Sequence, residues 1–145
     1  MNIRRVLTQA HVAVGAIIER DSKIILVQEY CPDHPDHGKW HFPAGWIELG
    51  ENPLVSIVRE VKEETGFDFT PTHILGLYSM DRRDLIGKMG RGGQAVYYES
   101  AGYPHGFRIV FLGEIKGEQE KFMEDEISAT RWYDPQEIYA MNDAT

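Results

Sequence analysis

The chain has 145 residues, 42% of them hydrophobic and 26% charged, with a net charge of -8. That length suits one domain spanning residues 1–145, and the composition is that of an ordinary globular protein with no linker or low-complexity run dividing it. A strongly acidic balance excludes the broad positive surface that polymeric nucleic acid requires, and no run approaches the roughly 20 apolar residues of a membrane span.

The N-terminal MNIRRVLTQAHVAVGAII has a basic start and an apolar continuation, but His11 and Gly15 interrupt the apolar part and Glu19 and Arg20 end it. It reads as a first strand rather than a signal peptide. HVAVGAII (11–18) and KIILVQEY (23–30), separated by ERDS, predict a hairpin with one well-buried strand. Cys31, the single cysteine, is expected to be an inert thiol, which suits a reducing cytoplasm. The loop after it carries His34, His37 and His41 with Asp33 and Asp36. Its prolines and lack of further cysteines favour a solvent loop near a cleft mouth over a second metal site. WHFPAGWIE then suggests two short strands around Pro43 to Gly45, with Trp40 and Trp46 as packing residues.

Asn52 as N-cap, Pro53 at the first helical position and Gly66 after Thr65 predict a helix over 53–65. Helical spacing puts Leu54, Val58, Val61 and Thr65 on one stripe, read as the core face, and Glu60, Glu63 and Glu64 on the other side. Like charges four residues apart repel, so the pattern costs stability unless something positive lies between them. A hard divalent cation, Mg²⁺ or Mn²⁺, is the ligand such oxygen clusters accept; a solvated acidic face balanced by Arg59 and Lys62 is the alternative. Farther on, 74–80 and 107–115 read as core strands, RWYD (131–134) as a short strand, and PQEIYAM as a helix docking Ile138 and Met141. Segment 81–106 is long for a connection. Its Arg82, Arg83, Lys88 and Arg91, with Tyr97, Tyr98 and Tyr103, would suit a lid with Arg82 and Arg83 on substrate phosphates; a solvated loop is the competing reading. Alternating helices and strands predict a mixed sheet covered by helices.

Residues 45–67 read G, five residues, E, seven residues, then REVKEETGF. This matches every fixed position of the Nudix box, and the chain resembles the Nudix (MutT-like) hydrolases. The resemblance extends to the Trp40, Pro43, Gly45 pattern ahead of the box and to DEI and RWY late in the chain. It implies an α/β fold, an α/β/α sandwich with a mixed sheet between helices. It also implies Mg²⁺- or Mn²⁺-dependent cleavage of a phosphoanhydride in a small nucleoside diphosphate-type substrate. Carried over by position, Glu60 and Glu64 would ligate metal, and Glu63 would be a ligand or the base. Gly45 would offer its carbonyl, and Arg59 would hold the carboxylates through Glu51 or Glu63. A base outside the box would be Glu126 first and Glu120 second. Missing subfamily markers at 82–85 leave nucleoside di- or triphosphates by elimination. A non-catalytic nucleotide sensor, a nucleotide-sugar hydrolase and diphosphate isomerase chemistry are the alternatives, and a homodimer stays open.

Overall fold

The computed structural model describes residues 11–81 and 105–142. Two strands, β1 (His11–Arg20) and β2 (Lys23–Glu29), are joined at Asp21 and Ser22, whose φ values of 52° and 62° give the tight turn expected of ERDS. Next come β3 (Trp40–His41) and β4 (Ala44–Trp46), then α1 (Pro53–Thr65) at the expected bounds. Asn52 accepts the Val55 amide at 3.0 Å, and Gly66, at φ 76°, returns its N–H to Lys62. The strands β5 (Asp68–Asp81), β6 (His105–Lys116) and β7 (Ile127–Tyr133) and the short α2 (Pro135–Ala140) complete the described elements.

Among the described residues the strands form one mixed sheet in the order β3-β2-β1-β6-β5, with β4 paired to β1 and β7 to β2. The β1–β6 pairing is parallel and the others are antiparallel. β1 pairs with β2 only at Glu19 and Arg20, so its N-terminal half is left for β4, which sets Gly45 opposite Val14 and Ala44 opposite Gly15. α1 covers one sheet face: Val14, Ala16, Ile18 and Phe111 pack with Ile57, Val61, Phe67 and Phe69. This α/β arrangement is the expected fold class.

Three expectations need correction. Leu54 and Val58 are exposed, and α1 instead buries Ser56, Ile57, Glu60, Val61, Glu64 and Thr65. The stripe holds only at Val61 and Thr65; the helix is turned so that two carboxylates face the sheet beside β4, where backbone N–H and a glycine receive them. The 74–80 run is part of β5, but Ile74, Leu75, Leu77 and Tyr78 are all at least half exposed. β5 is the terminal strand, and α1 covers only its start near Phe69, so apolar composition alone misplaced that run. α2 buries none of its residues, Ile138 and Met141 being half-buried, so docking there is shallow.

Candidate functional site

The site is built where β4 passes the buried side of α1. Ala16 donates to the Pro43 carbonyl and Ile47 to Val12, which fastens the Pro43–Ile47 backbone along β1. From that backbone the Ala44 amide donates to Glu64 Oε2 at 2.9 Å. Gly45 has the Glu60 carboxylate against its Cα so closely that any Cβ would overlap it. The box glycine is therefore a steric requirement of Glu60.

Arg59 organises the carboxylates from the rim. Its Nε and Nη2 donate to the two oxygens of Glu51 at 2.7 and 3.0 Å, a bidentate fork. Nη1 lies 3.0 Å from both Glu60 and Glu63, and Nη2 also reaches the Trp46 carbonyl at 3.2 Å. Both partners expected for Arg59 are met, and Glu60 and the Trp46 carbonyl are added. The guanidinium pushes the Glu51 carboxyl down to about 2. Glu60 moves the other way: burial pushes its carboxyl up to about 7, Arg59 opposes that, and the charges of Glu63 and Glu126 add to it.

Glu126 is placed by the chain before β7. Glu120 N–H donates to the Gly66 carbonyl, Met123 N–H to that of Glu63, and Gln119 Nε2 to that of Thr65, clamping this segment to the end of α1. Gly66 makes the approach possible, since a Cβ there would overlap the Glu120 carbonyl. The clamp carries Glu126 within electrostatic reach of Glu60, while Glu120 turns to Lys62 at 3.0 Å. Arg82 and Arg83 lie outside the described residues.

Among the described residues no three His, Cys, Asp or Glu side chains already converge as metal ligands do. The loop histidines have local uses: His34 accepts the Asp36 amide, His37 accepts the Cys31 amide, and Cys31 is buried. His41, expected with the other two histidines in a solvent loop, is instead held inward. Its Nδ1 lies 2.7 Å from the Phe42 carbonyl and its Nε2 2.7 Å from buried Glu29, which ties β2 to the residue preceding Pro43. A charged residue ending the apolar run KIILVQE was the available signal for Glu29. Trp40 packs edge-on to Tyr133, whereas Trp46 is 49% exposed beside His11.

The raised Glu60 carboxyl has a measurable consequence. Between its ordinary 4.5 and about 7 the folded chain keeps a proton that the unfolded chain releases. Its contribution is therefore fully present at low pH and is lost as pH rises through that window. In metal-free protein, subtracting the stability–pH curve of Glu60→Gln from that of the parent should give a difference that falls from pH 4.5 to about 7 and then levels. A flat difference would mean that Glu60 is not desolvated.

The chain matches the NUDIX domain family over residues 9–145, and it belongs to that family. It is 34% identical over 114 residues to an ADP-ribose pyrophosphatase of Methanocaldococcus jannaschii, covering 79% of this chain and 56% of that protein. It is 32% identical over 74 residues to an 8-oxo-dGTP diphosphatase of Proteus vulgaris, covering 51% of this chain and 65% of that one. The chain thus spans less than two thirds of the length of these relatives. A solved NUDIX hydrolase from Nitrosomonas europaea superposes with a TM-score of 0.70 at 28% identity, over 91% of this chain and 77% of that one.

Proposed function

We propose that the protein is a Mg²⁺- or Mn²⁺-dependent pyrophosphohydrolase. Its substrate is a nucleoside di- or triphosphate, or a nucleoside diphosphate joined to another group. The observation that carries this reading is the buried Glu60 carboxylate pressed on Gly45, with Glu63 sharing its Arg59 contact and Glu64 held by the neighbouring Ala44 amide. Such a concentration of hard oxygen donors is costly by itself and suits a hard cation. The fit is also steric, because the missing Cβ at Gly45 leaves the Glu60 carboxylate room beside the Gly45 backbone. Glu60, Glu64 and Glu63 would hold the metal with the Gly45 carbonyl.

When bound, such an ion neutralises phosphate charge and lowers the pKa of coordinated water. The chain's own residues do the rest. Arg59 keeps Glu51, Glu60 and Glu63 in register. Glu126, or Glu63 in its place, takes the proton from the attacking water. Water adds to phosphorus, the bridging P–O bond breaks, and two phosphate-bearing products leave. Glu120, paired with Lys62, is the weaker base candidate. Arg82 and Arg83 are proposed as phosphate contacts on the sequence alone.

The test is phosphate release, after phosphatase coupling where needed, from nucleoside di- and triphosphates, nucleotide sugars, ADP-ribose and 8-oxo-dGTP, with and without Mg²⁺ or Mn²⁺. Metal-dependent turnover of one class supports the reading. Tight binding with no turnover of any class would replace it with a nucleotide sensor.

A further inference from the structure

His41 and Glu29 form a buried pair to which the hydrolytic reading gives no part. Their side chains are 12% and 2% exposed, so hydrogen bonds between them are stronger than surface ones. Val27 stands opposite His41 in the β2–β3 ladder, which makes Glu29, two residues on, its diagonal neighbour on the same face. Ile25, Val27 and Glu29 alternate onto that face, and Ile25 packs in the core with Ile57 and Val61 of α1. The pair therefore lies on the side of the sheet that carries the carboxylates. Glu29 is pinned by its own backbone, whose N–H donates to the Lys39 carbonyl and whose carbonyl accepts from Gly38, both at 2.9 Å.

A carbonyl oxygen only accepts, so His41 Nδ1 donates to Phe42. One proton then lies between His41 Nε2 and Glu29 Oε2, 2.7 Å apart, whether the ring or the carboxyl carries it. The hold on Phe42 matters because Pro43 has no N–H. The Phe42 carbonyl is the only hydrogen-bonding group of the peptide unit that joins them. The next links follow at once: the Pro43 carbonyl accepts from Ala16 at 2.9 Å, the Ala44 N–H donates to Glu64 at 2.9 Å, and Gly45 packs on the Glu60 carboxylate. Ala16 thus fastens this backbone to β1, and the His41–Glu29 pair fastens it to β2. We propose that His41 and Glu29 are positioning residues for the carboxylate site, fixing the Phe42–Gly45 backbone where Ala44 and Gly45 receive Glu64 and Glu60. The proposal rests on the metal-dependent reading for its effect on cation affinity.

The contacts require hydrogen bonds rather than charge. In Glu29→Gln the amide N–H can donate to Nε2 while Nδ1–H still donates to Phe42, so a neutral imidazole keeps both. Glu29→Leu keeps the bulk and removes the partner. His41→Gln leaves an amide within reach of Glu29 and the Phe42 carbonyl without its donor.

The experiment follows amide hydrogen exchange by NMR in metal-free protein and measures the Mn²⁺ Kd by calorimetry, both well below the Tm of each variant. In His41→Gln and Glu29→Leu the Ala44 amide should exchange about ten-fold faster than in the parent, with the β1–β6 ladder unchanged. The Mn²⁺ Kd should rise about ten-fold in both, the low end of the loss seen when a group that orients a metal ligand is removed. Glu29→Gln should stay close to the parent in both measurements. Unchanged Ala44 exchange in His41→Gln, or unchanged Mn²⁺ affinity where the parent binds the ion, would make the pair merely structural and overturn the proposal. An equal loss in Glu29→Gln and Glu29→Leu would overturn it too, since charge would then be the cause. A parent that binds no Mn²⁺, with Ala44 still released in His41→Gln, would remove the metal-dependent reading and leave the pair as the fastener of the carboxylate site.

Discussion

Replacing Glu64 by Gln should lower kcat by about 10²- to 10³-fold, the loss typical of removing one preorganised electrostatic partner from a transition state. The change deletes a charge and keeps the shape. The Gln amide oxygen can still accept the Ala44 N–H that Glu64 now accepts at 2.9 Å, so the β4–α1 junction should persist. Glu64 is 1% exposed, and an ionised carboxylate there bears a desolvation cost that the amide escapes. The metal-free variant should therefore have a Tm equal to or above that of the parent. It should also gain less Tm on adding Mg²⁺, since ligand binding to the folded state raises stability in proportion to affinity. Thermal melts with and without Mg²⁺, beside steady-state kinetics, check all three statements. Activity within a few-fold of the parent would restrict Glu64 to holding Ala44.

Arg59→Ala should act on stability as well as on rate. The side chain ties together Glu51, Glu60, Glu63 and the Trp46 carbonyl, and its removal leaves three carboxylates facing one another. In metal-free protein Tm should fall by about 5 °C, less than for a fully buried pair because the rim is wet. Arg59→Lys should recover little of it, since an ammonium cannot span both Glu51 oxygens. Mg²⁺ should raise the Tm of Arg59→Ala, showing a cation standing in for the guanidinium. The acid limb gives a second readout. The Glu51 carboxyl lies near 2 in the parent, below its ordinary 4.5, so its contribution is present above 4.5 and lost as pH falls toward 2. The Tm gap between parent and Arg59→Ala should accordingly narrow over that range.

Local signals in the sequence were sufficient where the physics is local. Asn52, Pro53 and Gly66 bounded α1 because caps and positive φ act within one turn. ERDS set the hairpin because a two-residue turn fixes its own strands. The spacing of box residues set which side chains share the helix, and the resemblance supplied roles for them. Helical periodicity did not show which face would be buried. Leu54 and Val58 are more apolar than Glu60 and Glu64, yet the two carboxylates lie inside, because the Ala44 amide and the bare Gly45 Cα receive them. That reception depends on β4 pairing with β1, a contact between distant parts of the chain.

The same division holds across the molecule. Residue order by itself determined the fold class, the helix and its limits, and the carboxylate set with its arginine, all properties of neighbours in sequence. Tertiary structure alone decided three further things. It brought Glu126 within electrostatic reach of Glu60 through the clamp on the end of α1, and turned Glu120 to Lys62. It tied His41 to Glu29. It also brought Gly45 against Glu60, across the β1–β4 pairing. The physical reason is that desolvation, Coulomb interaction and steric room depend on distances in space, which strand pairing creates between residues that the sequence keeps far apart.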